Sequence, residues 1–477
     1  MRGNPSLELP KETSEFLFEL NVLCPYHLAI ESLFFKDYFK MPKSPNVLVI
    51  FADQQLRFAL GCMGNPDVDT PNLDRLAGRG AHFRSGYSAT PVCSPFRVNL
   101  VTGRYGLETG AMGNGCVFPK GGHTLVEDFK KAGYGTGFIG KWHVGGNGNQ
   151  PIPVEHRGGF ENFIGYQCYN GFYQDVCFYD EEGKEHRFEK HRTDVTGDIA
   201  IERLGAMADE GPFMAVVGFQ APHYPEQPSP KYDRAYRGRE VTPRPNYSGK
   251  CPYIRTHSPK SPQPVERDPD YRRYGEDIHE YLRCYYALCT QVDANVGRIL
   301  DALEEKGVLE DTLVLFTADH GDLAGSHDLN GKCVSYEESA GIPFILAGPG
   351  VPEGLVIDEP VDSSSYMPTL MDLAGVEASE GLLERSRAFL LKDPKSPTRA
   401  FSSLNNWCMV REGSWKLTIE DEENRPTMLF DLESDPYEMN NLVDSPEGEL
   451  MIKKLQPVVA SWKEDCISFR QENYPDS

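Results

Sequence analysis

The chain has 477 residues, 39% hydrophobic and 25% charged, an ordinary globular balance over a length that implies one large domain and a smaller one. Lys and Arg number 48 against 71 Asp and Glu, a net charge of -23. That acidity excludes nucleic acid and anionic membranes as partners, while a small anionic substrate in a local cationic pocket stays open.

Residues 1–44 do not read as a signal peptide. Glu15, Glu19, Pro25, His27 and Glu31 interrupt the apolar stretches, and no small-residue cleavage site follows them. The segment is expected to be an N-terminal extension, disordered or mis-started, with Met41 as the alternative start. The default location is the cytoplasm, with periplasm or secretion left open. No apolar run approaches the roughly 20 residues of a membrane-spanning helix. None of the 12 cysteines forms a Cys-x-x-Cys pair, so a zinc knuckle or a thioredoxin-like site is not expected.

Asn46 to Phe51 is a nearly continuous apolar run leading to Asp53, the pattern of a buried parallel strand. Thr70-Pro71 predicts a helix start with a hydroxyl cap, and Leu73 and Leu76 carry its apolar face. A second helix is expected around Pro95 to Thr102, just after Cys93. Thr124 is expected to cap a third, Leu125 to Ala132, ended by Gly133. The alternation continues through strand Tyr134–Ile139, helix Asp198–Ala208, strand Phe213–Phe219, helix Asp277–Glu305, strand Thr312–Phe316, strand Pro343–Ala347 and helix Tyr366–Ala374. Pro225 to Tyr271 lacks periodicity and reads as a long functional or disordered loop.

Short strand-like pieces at Arg399–Leu404, Cys408–Arg411, Trp415–Ile419 and Met428–Asp431 precede a last helix, Glu447–Trp462. The fold expected is α/β: a large, mostly parallel mixed sheet flanked by helices on both faces over 45–395. A smaller C-terminal α+β subdomain, 396–477, adds an antiparallel sheet and the final helix.

Polar residues cluster just past the strand ends, where open α/β sheets bind ligands. Cys93-Ser94-Pro95-Phe96-Arg97 sets a cysteine at a helix N-terminus, a place that favours anions, with Arg97 able to reach the same anion. A cysteine before a helix is also commonly a small buried hydrophobe. Asp53-Gln54 and Asp319-His320-Gly321-Asp322 bring oxygen and imidazole donors that suit one hard divalent cation, or serve as turn residues. Lys141, His143, His223 and Lys332 are the remaining candidates.

Taken together, these segments resemble the formylglycine-dependent sulfatases of the alkaline-phosphatase superfamily. Cys93-Ser94-Pro95-Phe96-Arg97 is similar to their Cys-x-Pro-x-Arg signature, and Asn99 to Arg104 to the Leu-x-Thr-Gly-Arg stretch after it. Gly140-Lys141-Trp142-His143, Asp319-His320-Gly321-Asp322, Lys332 with Tyr336-Glu337-Glu338-Ser339, and Leu429 to Leu442 match further family segments in order. Many sulfatases carry Asp-Asp and Asp-Asn where this chain has Asp53-Gln54 and Asp319-His320. The Gln and His versions occur in a subset with choline-sulfatase-like and phosphonate-monoester-hydrolase-like members.

The resemblance implies a sulfuric ester hydrolase acting on an alkyl, aryl or sugar sulfate, sugar sulfates foremost. It implies that a separate formylglycine-generating enzyme oxidises Cys93 to an aldehyde, which hydrates to a diol. Asp53, Gln54, residue 93, Asp319 and His320 would hold one divalent cation, Ca2+ before Mg2+. Arg97 would hold the diol, Lys141 and Lys332 the sulfate oxygens. His223 would protonate the leaving oxygen, and His143 would assist loss of the second hydroxyl proton. A phosphonate monoester hydrolase or phosphodiesterase on the same scaffold is the main alternative. A cysteine hydrolase using the Cys93 thiolate, needing no metal, and a non-catalytic binding protein are the others. The Asn405-Asn406-Trp407 turn and the Pro225 to Tyr271 segment are expected to wall the pocket.

Overall fold

The structure, a computed structural model, describes residues 44–250 and 277–475. The expected N-terminal extension, Met41 included, lies outside the described residues apart from Ser44. The strands of the main body are β1 (Asn46–Asp53), β2 (Gly80–Phe83), β3 (Gly86–Tyr87), β4 (Gly135–Lys141), β5 (Asn162–Tyr166), β6 (Cys177–Tyr179), β7 (Glu185–Arg187), β8 (Phe213–Pro222), β9 (Thr312–Ala318), β10 (Phe344–Ala347), β11 (Leu355–Ile357) and β12 (Val361–Asp362). Ten of them form one sheet in the order β11-β2-β10-β9-β1-β8-β4-β5-β6-β7. Its centre, β9 through β5, is parallel. Antiparallel pairing enters at β10 on one side and at β6 and β7 on the other.

The unbroken apolar run of β1 follows from its place in mid-sheet. Val47, Val49 and Phe51 point into one core and Leu48, Ile50 and Ala52 into the other, because successive side chains take opposite faces. The α-helices of seven or more residues among the described residues are α1 (Pro71–Gly78), α2 (Cys93–Thr102), α3 (Leu125–Lys131), α4 (Arg192–Glu210), α5 (Pro230–Tyr236), α6 (Ile278–Glu305), α7 (Tyr366–Ala374) and α8 (Pro446–Asn473). Helices α2, α3 and α7 close the first core; α1, α4 and α6 close the second.

Several details differ from the sequence reading. Helix α2 begins at Cys93 itself, two residues before Pro95. Thr70 stands at the N-cap position of α1, but its hydroxyl takes the Gly61 N–H at 2.8 Å instead of an N–H of its own helix. Thr124 likewise spends its hydroxyl on the Gly158 carbonyl. Tertiary partners won over local capping in both cases. The stretch from Pro225 is not wholly loop, since α5 lies within it behind Ser229 and Pro230; its residues 251–271 lie outside the described residues. Helix α8 continues through Pro457 and past Trp462 to Asn473, and residues 463–473 hold no Gly or Pro to stop it sooner.

After the main sheet come β13 (Arg399–Leu404), β14 (Trp407–Glu412), β15 (Trp415–Glu420) and β16 (Arg425–Asp431), all antiparallel. Leu455 and Val459 of α8 pack on Val410, Leu417, Ile419 and Leu429 of this small sheet. Its other face meets the main body through a cluster that joins Tyr87, Val92 and Ala340 to Ala400, Leu404, Trp407 and Met409. Among the described residues no helix is long and apolar enough to cross a membrane.

Candidate active site

Strands β9, β1, β8 and β4 lie side by side, and their carboxyl ends deliver Asp319-His320, Asp53-Gln54, His223 and Lys141 to one place. Two local devices refine this. A bulge in β8 sets Asp53 opposite Pro222, although Ala52 pairs with Phe219, so His223 is carried toward Asp53. Gly140 has φ 111° and presses so close to β8 that a Cβ there would lie 2.1 Å from the Gly218 carbonyl. Only glycine permits that turn, and Lys141 follows from it. Helix α2 then brings Cys93, 1% exposed, to the same point with its first turn.

The Cys93 sulfur is the hub. It lies 3.3 Å from His320 Nε2, 3.5 Å from Lys332 Nζ and 3.8 Å from Asp53 Oδ1. Asp53, Cys93, Asp319 and His320 each offer a ligand atom, all within 4.8 Å of one another. His320 Nδ1 lies 2.9 Å from the Gly321 carbonyl, which can only accept, so Nδ1 carries the proton and Nε2 presents its lone pair to the cluster. Two buried carboxylates with one proton-free imidazole nitrogen fit a divalent cation.

Arg97 Nη2 donates to Asp53 Oδ2 at 2.7 Å and to Asp319 Oδ2 at 2.8 Å, while Nη1 donates to the Lys141 carbonyl. Its guanidinium therefore locks both carboxylates. The buried Nε has no hydrogen-bond partner among the described residues. Lys141 Nζ lies 2.6 Å from Asp53 Oδ2 as an ion pair, out of hydrogen-bond alignment, so its N–H groups remain available. Burial and the nearby sulfur both oppose ionisation of Asp53, yet Lys141, His223 and Arg97 outweigh them and hold its carboxyl well below the usual range. Burial and then Lys141 depress the pKa of His223. Three cationic side chains, Arg97, Lys141 and Lys332, stand here among the carboxylates of Asp53, Asp319 and, one hydrogen bond further out, Asp322.

Gln54 sits beside the ligands in a left-handed turn, φ 68°. Its amide nitrogen donates to Asp322 Oδ2 at 2.7 Å, which turns Oε1 toward Lys332 Nζ, 2.9 Å away. Tyr281 donates to the same Asp322 oxygen at 2.6 Å, and Tyr285 donates to the Gln54 carbonyl at 2.6 Å. Asp322 is thus an orienting group, a role the sequence left unassigned. Tyr281 and Tyr285 carried no sequence signal beyond their i, i+4 spacing on one helix face. His143 Nε2 pairs with Asn147 Oδ1 at 2.9 Å, and His223 Nδ1 donates to the Tyr224 carbonyl at 2.8 Å. All the residues expected at the site come together in it. Of the expected pocket walls, the 405–407 turn is anchored near Lys332 by a bond from Trp407 Nε1 to the Cys333 carbonyl, 3.1 Å.

A fold with this sheet, and a site with these groups at its strand ends, define a hydrolase of tetrahedral anionic esters. The family model described as Sulfatase matches residues 45–376. A second, described as N-sulphoglucosamine sulphohydrolase, C-terminal, matches residues 325–465. The chain is 30% identical to an ulvan-active sulfatase of Formosa agariphila, over 87% of this chain and 80% of that one. It is 27% identical to an arylsulfatase of Clostridium perfringens, over 91% and 96%. A structure solved in complex with its substrate D-glucosamine-2-N,6-O-disulfate shares the fold with a TM-score of 0.75 and 23% identity, over 91% of this chain and 99% of that one. The chain belongs to the sulfatase family of the alkaline-phosphatase superfamily, and it is a sulfuric ester hydrolase.

Proposed function

We propose that the chain hydrolyses sulfate esters of saccharides, with residue 93 matured to formylglycine by a separate enzyme. One divalent cation, Ca2+ before Mg2+, would be held by Asp53, Gln54, Asp319 and His320 together with residue 93. The observation that carries the reading is the convergence of Lys141, Lys332, His143 and His223 on a buried residue 93 whose sulfur lies within 4.8 Å of two carboxylates and an imidazole. When bound, the cation supplies Lewis-acid stabilisation of negative charge on oxygen.

The chain's own residues do the rest. Lys141 and Lys332 bind the sulfate oxygens and hold their charge through the transfer. Arg97 keeps Asp53 and Asp319 in place and offers Nε to residue 93. With Nδ1 donating to the Tyr224 carbonyl, His223 turns Nε2 to the leaving alcohol oxygen and would protonate it from the imidazolium form, which burial and Lys141 disfavour until a bound sulfate offsets that charge. His143, with Nε2 on Asn147, keeps Nδ1 as an acceptor for a proton from residue 93. Sugars are favoured as the alcohol by the C-terminal match, whose description names a sulphoglucosamine sulphohydrolase.

The test is release of inorganic sulfate from a panel of sulfated saccharides and from 4-nitrophenyl sulfate, beside a 4-nitrophenyl phosphonate ester. The protein is coexpressed with a formylglycine-generating enzyme, and the peptide bearing residue 93 is weighed. Sulfate release that stops on chelation and returns with Ca2+ is expected. A clear preference for the phosphonate would make the chain a phosphonate monoester hydrolase, a reading that Gln54 and His320 keep in play. Activity that survives chelation with an intact Cys93 thiol would make it a cysteine hydrolase.

A further inference from the structure

The small sheet carries a groove that the reaction described above does not use. Strands β13 and β14 pair Leu404 with Trp407 at one end and Arg399 with Glu412 at the other. The first end is the turn that Trp407 anchors beside Lys332. Arg399 lies five residues along β13 from Leu404, a span of roughly 17 Å at the usual rise of a strand. At that second end Trp415 of β15 stands opposite Glu412. Arg399 and Trp415 there join Arg387 and Phe389 around an open groove of about 780 Å³.

The groove combines aromatic surface with cationic charge. Phe389 is 44% exposed, an apolar ring open to water, and Trp415 is half-buried against the core of the small sheet. Three cationic side chains and two carboxylates line the groove, the reverse of the balance of a chain whose net charge is -23. Glu412 serves both Arg399 and Lys454, and Glu359 accepts the Thr398 N–H at 3.2 Å. Arg387 has no carboxylate partner among the described residues. Its Nη1 donates to the Arg385 and Ser386 carbonyls at 2.9 and 3.2 Å, and its backbone N–H donates to Thr369 Oγ1 at 2.9 Å. The guanidinium is therefore held in place without being neutralised.

We propose that this groove is a second binding site for a sulfated polysaccharide, taking a sugar ring on Phe389 and Trp415 and a sulfate group on Arg387. The choice of occupant rests on the sulfatase reading above. Aromatic faces take the C–H face of a sugar, and a guanidinium presents parallel N–H donors to two oxygens of one sulfate. The distance from the Trp407 turn puts the groove beyond the sugar whose ester reacts, so the unit held there is another unit of the same chain or of a second one. Holding a polymer at this site raises the effective concentration of its remaining esters at residue 93, without any new contact to the reacting one.

The test needs no turnover. Binding of dextran sulfate, and of uncharged dextran, to the full matured chain is measured by titration calorimetry at low salt. Dextran sulfate is expected to bind at least about tenfold more tightly than dextran, and Arg387→Gln and Phe389→Ser are each expected to raise its Kd about fivefold with the melting temperature unchanged. Both side chains are partly or largely exposed, so neither change opens the core. No binding of dextran sulfate by the wild type, equal affinity for dextran, or a Kd that neither variant moves would overturn the proposal. Affinity lost in Lys332→Ala but kept in both groove variants would put the polymer at residue 93 alone, and overturns it too. A wild type that releases no sulfate from any ester, yet binds dextran sulfate through Arg387 and Phe389, would refute the functional reading and leave the groove standing.

Discussion

His223 illustrates how much of a residue's role comes from its partner atoms. The sequence placed a histidine after a strand. The Tyr224 carbonyl then takes the Nδ1 hydrogen, because a carbonyl can only accept, and leaves Nε2 as the nitrogen without that bond. If Nε2 protonates the leaving oxygen, its loss should depend on how much that oxygen needs a proton. His223→Ala is expected to lower kcat by about 10²–10⁴ on a sugar sulfate, whose alkoxide leaves badly, and far less on 4-nitrophenyl sulfate. Parallel kinetics on the two esters check this, and equal losses on both would assign His223 to binding instead. Arg97 teaches the complementary lesson. Its place in the signature pointed to residue 93, but its strongest bonds go to Asp53 and Asp319, which the sequence holds 44 and 222 residues away. Spacing cannot show a bond of that range.

At the scale of elements, the strand and helix alternation was legible because buried parallel strands read as apolar runs and the helices as periodic faces. Helix boundaries were less so, and α4 shows why. It begins at Arg192, where His191 caps it by accepting the Thr193 N–H at 3.2 Å through Nδ1. The same nitrogen receives Gln291 Nε2 from α6 at 3.0 Å, and Nε2 donates to the Gln227 carbonyl at 2.9 Å. Histidine is not a customary cap, and nothing near it in sequence discloses those partners. Burial, with Arg192 adding to it, lowers the His191 pKa from 6.5 to about 4. A depressed folded-state pKa gives stability that is full above pH 6.5 and is lost as pH falls toward 4, where protonation would set a donor against two donors. Stability is therefore expected to fall across that window by on the order of 3 kcal/mol, read as a lowered melting temperature. His191→Asn, which keeps an acceptor at the cap, should flatten this part of the profile. A wild-type curve already flat between pH 6.5 and 4 would contradict the assignment.

At the scale of the whole molecule, the small sheet is joined to the main body by a buried charge network as well as by apolar packing. Lys416 of β15 donates to the Ser335 carbonyl at 2.8 Å and to Glu337 Oε1 at 2.9 Å, and also contacts Glu438. Arg57 and Tyr87 reach Glu337 from the other side. Removing one member leaves uncompensated charge in the interior, so Lys416→Met is expected to cost about 3–5 kcal/mol and to lower the melting temperature markedly. An unchanged melting temperature would show the network to be dispensable. The sequence by itself determined the α/β pattern and which side chains gather at the strand ends, because hydrophobic periodicity and short signatures are local properties of a chain. Only the tertiary structure decided which backbone carbonyls fix the rings of His223 and His320, and that Asp322, Tyr281 and Tyr285 aim Gln54. Each of these depends on atoms brought together from distant parts of the chain by the packing of the sheet and the pairing of buried polar groups.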